Sequence, residues 1–507
     1  MDTLLLKAFL PEFILAFFIL LQLLFNNHLL YSKKYNFILS NKELFFQVLF
    51  ILITISALVI NVQIEGTLSN GLFFTNKNLS LLKFFFLVCS IILLTPIWRS
   101  FILENLNFYE FFTFFLFSLL ASLFLVNVLD LISVYLLVEM QTLCFYILAT
   151  FKRNSTFSTE AGLKYFISSA LNGGIFLLGC SIIYFCLGTL NLNYIELLVS
   201  ASFDNELQII KFLLLFAVLL ISITFFFKLT AAPFHFWSPD VYDGSPLAST
   251  IIFTVLPKFI FFTLFMRWLL SVSFLLFEIK FVFLIVGFFS VVFGIFFALK
   301  QKRLKRFFIY SSIAQVGFII AALSIQDLTT YVYTYFFLMN YIINGTLFWT
   351  FYSFFSTFQK SRFSFYSSLL SSLFISNLAN LNKLNPYWRL IFVFLFFSIS
   401  GMPPFSGFLA KFYIFLSLIE SQEFVYTLVL ILLNLIAVFY YMRLLKVISF
   451  EVTSKNLRVS IVDPFTYKSL IDLDCFILAF GSFLLLYIFW YPTFFLLFFQ
   501  YILINFL

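Results

Sequence analysis

Apolar runs about twenty residues long, separated by short polar or charged stretches, repeat from one end of the chain to the other. About 20 apolar residues are what an α-helix needs to cross a bilayer. The runs predict spans at 4–25, 44–62, 79–96, 108–127, 129–150, 162–188 and 208–234 in the first half. The second half continues with 247–270, 279–299, 307–325, 329–356, 388–408, 410–442 and 475–503. The pattern is that of an all-α, polytopic membrane protein of about 14 helices, in which residues 1–507 form one integral membrane domain. The largest loop, roughly 443 to 474, mixes Glu451, Asp463, Asp472 and Asp474 with lysines and reads as a surface crossing segment rather than a soluble domain.

Composition agrees with the pattern. Hydrophobic residues make up 63% and charged residues 10% of the 507, where a soluble domain carries about 25% charged. The 84 phenylalanines outnumber the 30 Lys and Arg and the 22 Asp and Glu together. That bias, with Leu, Ile, Asn and Tyr, is what an AT-rich coding genome gives, as in many mitochondria. The start, MDTLLLKAFLPEF, lacks the basic region and small-residue cleavage site of a secretory signal, and is not an Arg- and Ser-rich transit peptide, so it reads as the beginning of a retained span.

The net charge of +8 is unevenly placed. With the N-terminus outside, the inner loops collect Lys33, Lys34, Lys42, Arg99, Lys152, Arg153, the cluster KQKRLKR at 300–306, Lys360, Arg362, Lys383, Arg443, Lys446, Lys455, Arg458 and Lys468. The outer loops hold Lys77, Arg267 and Lys280, offset by Glu65, Glu196, Asp204, Glu206, Glu278 and Asp327. This is a positive-inside asymmetry, and KQKRLKR reads as a topology anchor, with lipid or partner binding the alternative.

The five cysteines, Cys89, Cys144, Cys180, Cys186 and Cys475, lie in apolar segments without a CxxC pair, and there are two histidines. That spacing offers neither an iron–sulfur nor a zinc site, and no GxGxxG or P-loop occurs. No redox centre or nucleotide fold is expected in this chain.

Four charges fall inside expected spans rather than at their ends: Glu139, Lys228, Lys258 and Lys411. Each costs about 2.5–3.5 kcal/mol at a helix centre on the insertion scale, and such residues mark ion pathways. Snorkelling, the alternative for a lysine, suits Lys7 and Lys164 near span ends better than Lys258, deep in its segment. Helix breakers sit beside the same lysines. Pro233 lacks an N–H and clashes with the carbonyl of Leu229, which predicts an opening one turn beyond Lys228. Pro257 frees the carbonyl of Phe253, and Gly401, Pro403, Pro404 and Gly407 interrupt the segment before Lys411. Irregular backbone at membrane depth survives only against protein or a water-filled cavity. The two interruptions stand five spans apart, as two inverted five-helix repeats at 108–270 and 279–442 would place them.

Burial weakens an ammonium's hold on its proton, and a nearby carboxylate restores it. One pKa unit is about 1.36 kcal/mol, and moving a proton against 100 mV costs about 2.3 kcal/mol, so a change of partner suffices to load and unload a buried site. Glu139 with Lys228 is the candidate switching pair, Lys258 the relay and Lys411 the terminal site. His235 is a candidate carrier, or else a structural histidine bonded to a freed carbonyl.

The stretches KLTAAPFHFWSPDVYDGSP, VLPKFIFF, VEMQTLCFYILATFKRNSTFSTEAGLKYF, KRFFIYSSIAQVGFI and SISGMPPFSGFLAKFYIF, between about 138 and 415, carry a family resemblance. The chain resembles NADH dehydrogenase subunit 2, the subunit N homologues among the antiporter-like membrane subunits of respiratory complex I. The resemblance implies fourteen helices, two inverted five-helix repeats and a central polar axis. It matches Glu139, Lys228, Lys258 and Lys411 with the family's proton-transfer residues on the fifth, seventh, eighth and twelfth helices. By the last match, 410–420 belongs with the twelfth helix rather than the thirteenth. Gln315 stands where family members usually carry a histidine, which removes a titrating group from that position.

The implied function is proton translocation coupled to NADH oxidation and quinone reduction elsewhere in the complex. This subunit then has no cofactor of its own, while NADH, FMN, iron–sulfur clusters and quinone belong to other subunits. The implied partners are other membrane-arm subunits, membrane lipids and protons, with no nucleic acid. The implied location is the mitochondrial inner membrane, or a bacterial plasma membrane. Two other readings fit the residues: a subunit of an Mrp-type cation/proton antiporter, and a scaffold whose charges only lock helices together.

Overall fold

The computed structural model describes residues 7–31, 41–62, 64–69, 71–104, 109–202, 208–360, 374–376, 378–379, 386–450 and 468–504. Among them are eighteen helices and one small hairpin. The helices are α1 (Leu10–Tyr31), α2 (Asn41–Ile60), α3 (Lys77–Glu104), α4 (Tyr109–Asn127), α5 (Leu131–Ala149) and α6 (Thr156–Leu187). After a short α7 (Leu192–Ser202) come α8 (Gln208–Leu229), α9 (Trp237–Gly244), α10 (Leu247–Ser271), α11 (Ser273–Lys300) and α12 (Leu304–Leu323). The chain continues through α13 (Leu328–Lys360), α14 (Pro386–Ser400), α15 (Ser406–Glu420), α16 (Phe424–Phe450), α17 (Lys468–Trp490) and α18 (Pro492–Ile504). Strands β1 (Gly66–Leu68) and β2 (Phe73–Thr75) pair antiparallel between α2 and α3. The protein is an all-α polytopic membrane protein.

Eleven helices are long and apolar enough to cross a membrane among the described residues, and Leu10–Leu24, Trp388–Ser400 and Pro492–Leu503 are shorter apolar helices. Of the fourteen expected spans, the eleventh is the informative exception. Helix α13 is long, but Tyr, Thr, Ser and Asn recur along it, and it is not among the eleven. Its polar residues face protein rather than lipid, since Thr330, Thr334, Asn340, Asn344, Thr350 and Ser353 are all buried.

Several expected boundaries are corrected. The span expected at 208–234 stops at Leu229, because the chain turns left-handed at Thr230 (φ 66°) ahead of Pro233. The span expected at 388–408 stops at Ser400, and 410–442 is two helices. Helix α15 closes at Gln422 (φ 64°), where the Glu423 N–H returns to the Leu418 carbonyl at 3.1 Å. The 410–420 stretch therefore stands apart from the following span. The span expected at 475–503 divides at Pro492. The expected loop at 443–474 is shorter, with α16 running to Phe450 and α17 starting at Lys468; Glu451 and Asp463 lie outside the described residues. Pro257 does not interrupt α10, which continues through it.

Helix α10 is the axis of the core. Every residue of Leu247–Ser271 but Arg267 and Leu270 is buried, whereas most of Phe424–Phe450 is not. Helix α12, buried except at Arg306 and Tyr310, meets it where Lys258 bonds Ser312. Lys258, fully buried at the centre of α10, therefore has no lipid interface to reach.

Of the cations assigned to inner loops, Arg99 is instead inside α3, buried and ion-paired with Asp474 of α17. Lys33, Lys34, Arg362, Lys383, Lys455 and Arg458 lie outside the described residues, as do Asp204 and Glu206 on the outer side. Glu65 and Arg153 are both exposed, in connections that the span count places on opposite faces. Single cysteines at these two positions are expected to react with a membrane-impermeant maleimide from opposite sides of sealed vesicles. Labelling of both from one side would overturn the topology.

Candidate proton-transfer site

The two interruptions are built in the same way. In the first, the Ala231 N–H bonds the Phe226 carbonyl at 2.9 Å and the Thr230 N–H bonds the Phe227 carbonyl at 3.1 Å. In the second, Gly401 (φ 81°) takes the left-handed position, Met402 N–H reaches the Phe397 carbonyl at 3.0 Å, and Gly401 N–H reaches the Ser398 carbonyl at 3.1 Å. Both are Schellman endings, which satisfy the carbonyls a terminating helix leaves behind. Each is followed by a cis X-Pro bond, at Ala232–Pro233 and Pro403–Pro404.

Lys228 occupies the last turn of α8, just before the first ending. Its Nζ is buried and has no hydrogen-bond partner. It shares with Glu139 a cavity of ≈ 20 Å³, also lined by Tyr135, Asn172, Thr224 and Phe261. That volume admits a single water. The Glu139 carboxylate accepts a hydrogen bond from Thr142 Oγ1 at 3.2 Å. Among the described residues the ion pairs do not include Glu139 with Lys228, so the two charges face each other across the cavity rather than touching.

Lys258 lies at the buried centre of α10. Its Nζ donates to Ser312 Oγ of α12 at 3.1 Å and stands 5.1 Å from the centre of the Tyr341 ring, a cation–π distance. The carbonyl that Pro257 frees, Phe253 O, accepts the Tyr242 hydroxyl at 3.5 Å, and Thr254 O accepts the Tyr341 hydroxyl at 2.8 Å. The Tyr242 side chain thus takes the place of the missing backbone donor. Gln315 is buried on α12, nearly one turn beyond Ser312.

Lys411, on α15, reaches back to the second ending. Its Nζ donates to Ile399 O at 3.2 Å, Ser400 O at 2.8 Å and Asn434 Oδ1 at 2.7 Å. An ammonium at a helix C-terminus is favoured by the helix dipole. A Cβ on Gly401 would come within 2.8 Å of Lys411 Cδ, so the glycine serves both the turn and the lysine's approach.

His235, in the first interruption, is buried with Nδ1 lacking a hydrogen-bond partner. Its ring stacks between Phe236 (4.7 Å) and Phe293 (5.7 Å).

The basic cluster at 300–306 does more than anchor topology. Arg303 Nη1 (2.9 Å) and Arg306 Nε (2.6 Å) both meet Asp243 Oδ2 at the end of α9, while Lys305 Nζ donates to Ser245 O at 2.9 Å and Asp243 O at 3.3 Å. Lys164 pairs with Asp240 at 2.9 Å and with Glu160 at 2.8 Å. The short helix that follows the break is therefore tied down from α6 and α12. Sequence reasoning also passed over a buried ion pair, Glu12 of α1 with Lys83 of α3. Opposite charges inside the expected spans 4–25 and 79–96 were the available signal.

A family described as NADH:quinone oxidoreductase/Mrp antiporter, TM, matches residues 128–437. The chain belongs to this family. Within it, the chain is 33% identical over 335 residues to NADH-quinone oxidoreductase subunit N of Pelagibacter ubique, covering 66% of this chain and 67% of that one. It is 32% identical over 396 residues to NADH-ubiquinone oxidoreductase chain 2 of Marchantia polymorpha, covering 77% and 76%. The fold is also that of a chain in the respiratory complex I of Thermus thermophilus, with TM-score 0.70 at 23% identity over 93% of this chain and 97% of that one. A chain of the Mrp complex from Dietzia has TM-score 0.75 at 16% identity over 98% and 96%. The matched region contains both broken spans and all four charges singled out by their depth in the chain.

Adjacent glycines on α6 give a local test of the site. A Cβ on Gly173 would lie 2.8 Å from Glu139 Oε1, whereas at Gly174 nothing stands within 4 Å. Gly173→Ala is expected to displace the carboxylate and lower proton pumping, with Gly174→Ala close to wild type in the same vesicle assay. Equal effects of the two would mean that Glu139 is not held where the structure places it.

Proposed function

We propose that the chain moves protons through Glu139, Lys228, Lys258 and Lys411 as a membrane-arm subunit of an NADH:ubiquinone oxidoreductase. NADH oxidation and quinone reduction, with their FMN, iron–sulfur and quinone sites, are then the work of other subunits. The observation that carries this reading is Lys228: a buried amine with no protein partner, opposite a carboxylate, across a space the size of one water. A buried lysine kept only to lock helices together would be expected to have its amine hydrogen-bonded, and the Lys228 amine is not.

The mechanism follows from the partners. Glu139 faces Lys228 across the cavity; a proton leaving Lys228 passes into the core, where Lys258 sits on Ser312. Lys411 gathers its proton between a helix C-terminus and Asn434, at the far broken span. His235 is retained as a candidate carrier because its buried Nδ1 has no hydrogen-bond partner. The mitochondrial inner membrane is the proposed location, supported by the composition and by the chain 2 relatives. The relatives at 31–34% identity named for the quinone oxidoreductase favour it over an Mrp antiporter subunit, where the likeness is one of fold.

In the assembled enzyme, Lys228→Ala is expected to lower proton pumping and coupled quinone reduction by at least about tenfold, as loss of a proton-transfer group does, while the complex still assembles. Wild-type turnover and pumping would refute the pathway. On a blue-native gel the chain is expected in a large NADH-oxidising band, and migration outside it would refute membership of that complex.

A further inference from the structure

A line of hydroxyl groups leaves Glu139 on the side away from Lys228. Thr142 Oγ1 donates to Glu139 Oε2 at 3.2 Å. Tyr146 stands one turn beyond Thr142 on the same face of α5, and its hydroxyl bonds Ser169 Oγ across the seam between α5 and α6. Ser169 in turn donates to the Tyr165 carbonyl at 2.8 Å. Thr142 and Ser169 are fully buried and Tyr146 is nearly so. Along α5 the line runs from mid-helix toward Ala149, the end that carries the connection with Lys152 and Arg153.

We propose that Tyr146, with Thr142 and Ser169, is a hydroxyl relay that brings protons to Glu139 from the basic-loop side. This rests on the reading of Glu139 and Lys228 as proton-transfer residues. Each hydroxyl is both donor and acceptor and turns about its C–O bond, so a proton can be passed along without any group becoming charged for long. The Glu139 carboxylate takes the proton of Thr142, Thr142 takes that of Tyr146, Tyr146 takes that of Ser169, and Ser169 is refilled by a hydronium ion from the aqueous phase on the basic-loop side, which leaves as water. Every O–H bond broken is matched by one formed, and the net change is one proton gained by Glu139. The relay ends where the cavity begins, so that Glu139 has hydroxyls on one side and Lys228 on the other.

The aromatic packing allows a clean deletion. The Tyr146 ring meets Tyr165 at 5.1 Å and Phe166 at 5.4 Å, both edge-on, and Tyr146→Phe keeps those contacts while removing the hydroxyl. In the assembled complex reconstituted into vesicles, Tyr146→Phe is expected to slow proton pumping by about tenfold, less than the full effect of a general acid–base group because water can stand in for one hydroxyl. The remaining rate should show a larger H2O/D2O ratio than wild type, since proton delivery has become limiting. Slowing with an unchanged isotope ratio would mean a packing role and overturn the relay. Should Tyr146→Phe fail to assemble, Thr142→Val and Ser169→Ala decide by the same two readings. If Lys228→Ala is impaired while the hydroxyl variants pump as wild type, the relay falls and the proposed function stands. If all pump as wild type, both fall.

Discussion

A helix that stops inside a membrane leaves carbonyls that lipid cannot satisfy, each costing several kcal/mol. Everything distinctive in this structure follows from how two such stops are made tolerable. At each, a left-handed residue turns the last N–H groups back onto the helix, which disposes of the Phe226, Phe227, Phe397 and Ser398 carbonyls locally. The carbonyls that remain at the second stop, Ile399 and Ser400, are taken by Lys411. A lysine at this depth and an unwound helix are each costly alone, and they are accommodated together.

The first stop is arranged differently, and the difference has functional weight. Trp237 Nε1 adds a second donor to the Phe227 carbonyl at 3.3 Å, and the Lys228 amine, instead of bonding backbone, lines the cavity beside Glu139. The three lysines thus have three environments: an unpartnered one at a cavity the size of one water, one resting on a serine and a tyrosine ring, and one bonded to backbone and Asn434. Binding that is weak at one position and strong at another is what allows a proton to be both accepted and passed on in the proposed pathway. Asp240 and Asp243, held by Lys164, Arg303 and Arg306, keep the short helix after the break in register while the backbone before it is irregular.

The number of spans, the depth of the four charges and the two interruptions were legible because lipid exacts a simple rule: about twenty apolar residues, few charges, no loose backbone. The seventh span was drawn five residues too long because apolar composition continues through TAAPF, whereas the turn at Thr230 depends on local hydrogen bonding that composition does not carry. Pro257 frees the Phe253 carbonyl as expected without ending α10, and the donor that meets it, the Tyr242 hydroxyl, comes from a residue eleven positions away. The same limit hid the pairing of Glu12 with Lys83, of Arg99 with Asp474 and of the 300–306 cluster with α9: hydropathy locates a charge along the chain, and only the packed helices show which charge it meets.

The account turns on Glu139 and Lys228 acting as one unit across the cavity, which a double-mutant cycle measures directly. Proton pumping would be compared in wild type, Glu139→Gln, Lys228→Ala and the double variant, each in assembled complex. Coupled residues predict that the double variant is no worse than the more damaged single one. Losses that multiply would show the two acting independently and contradict the account.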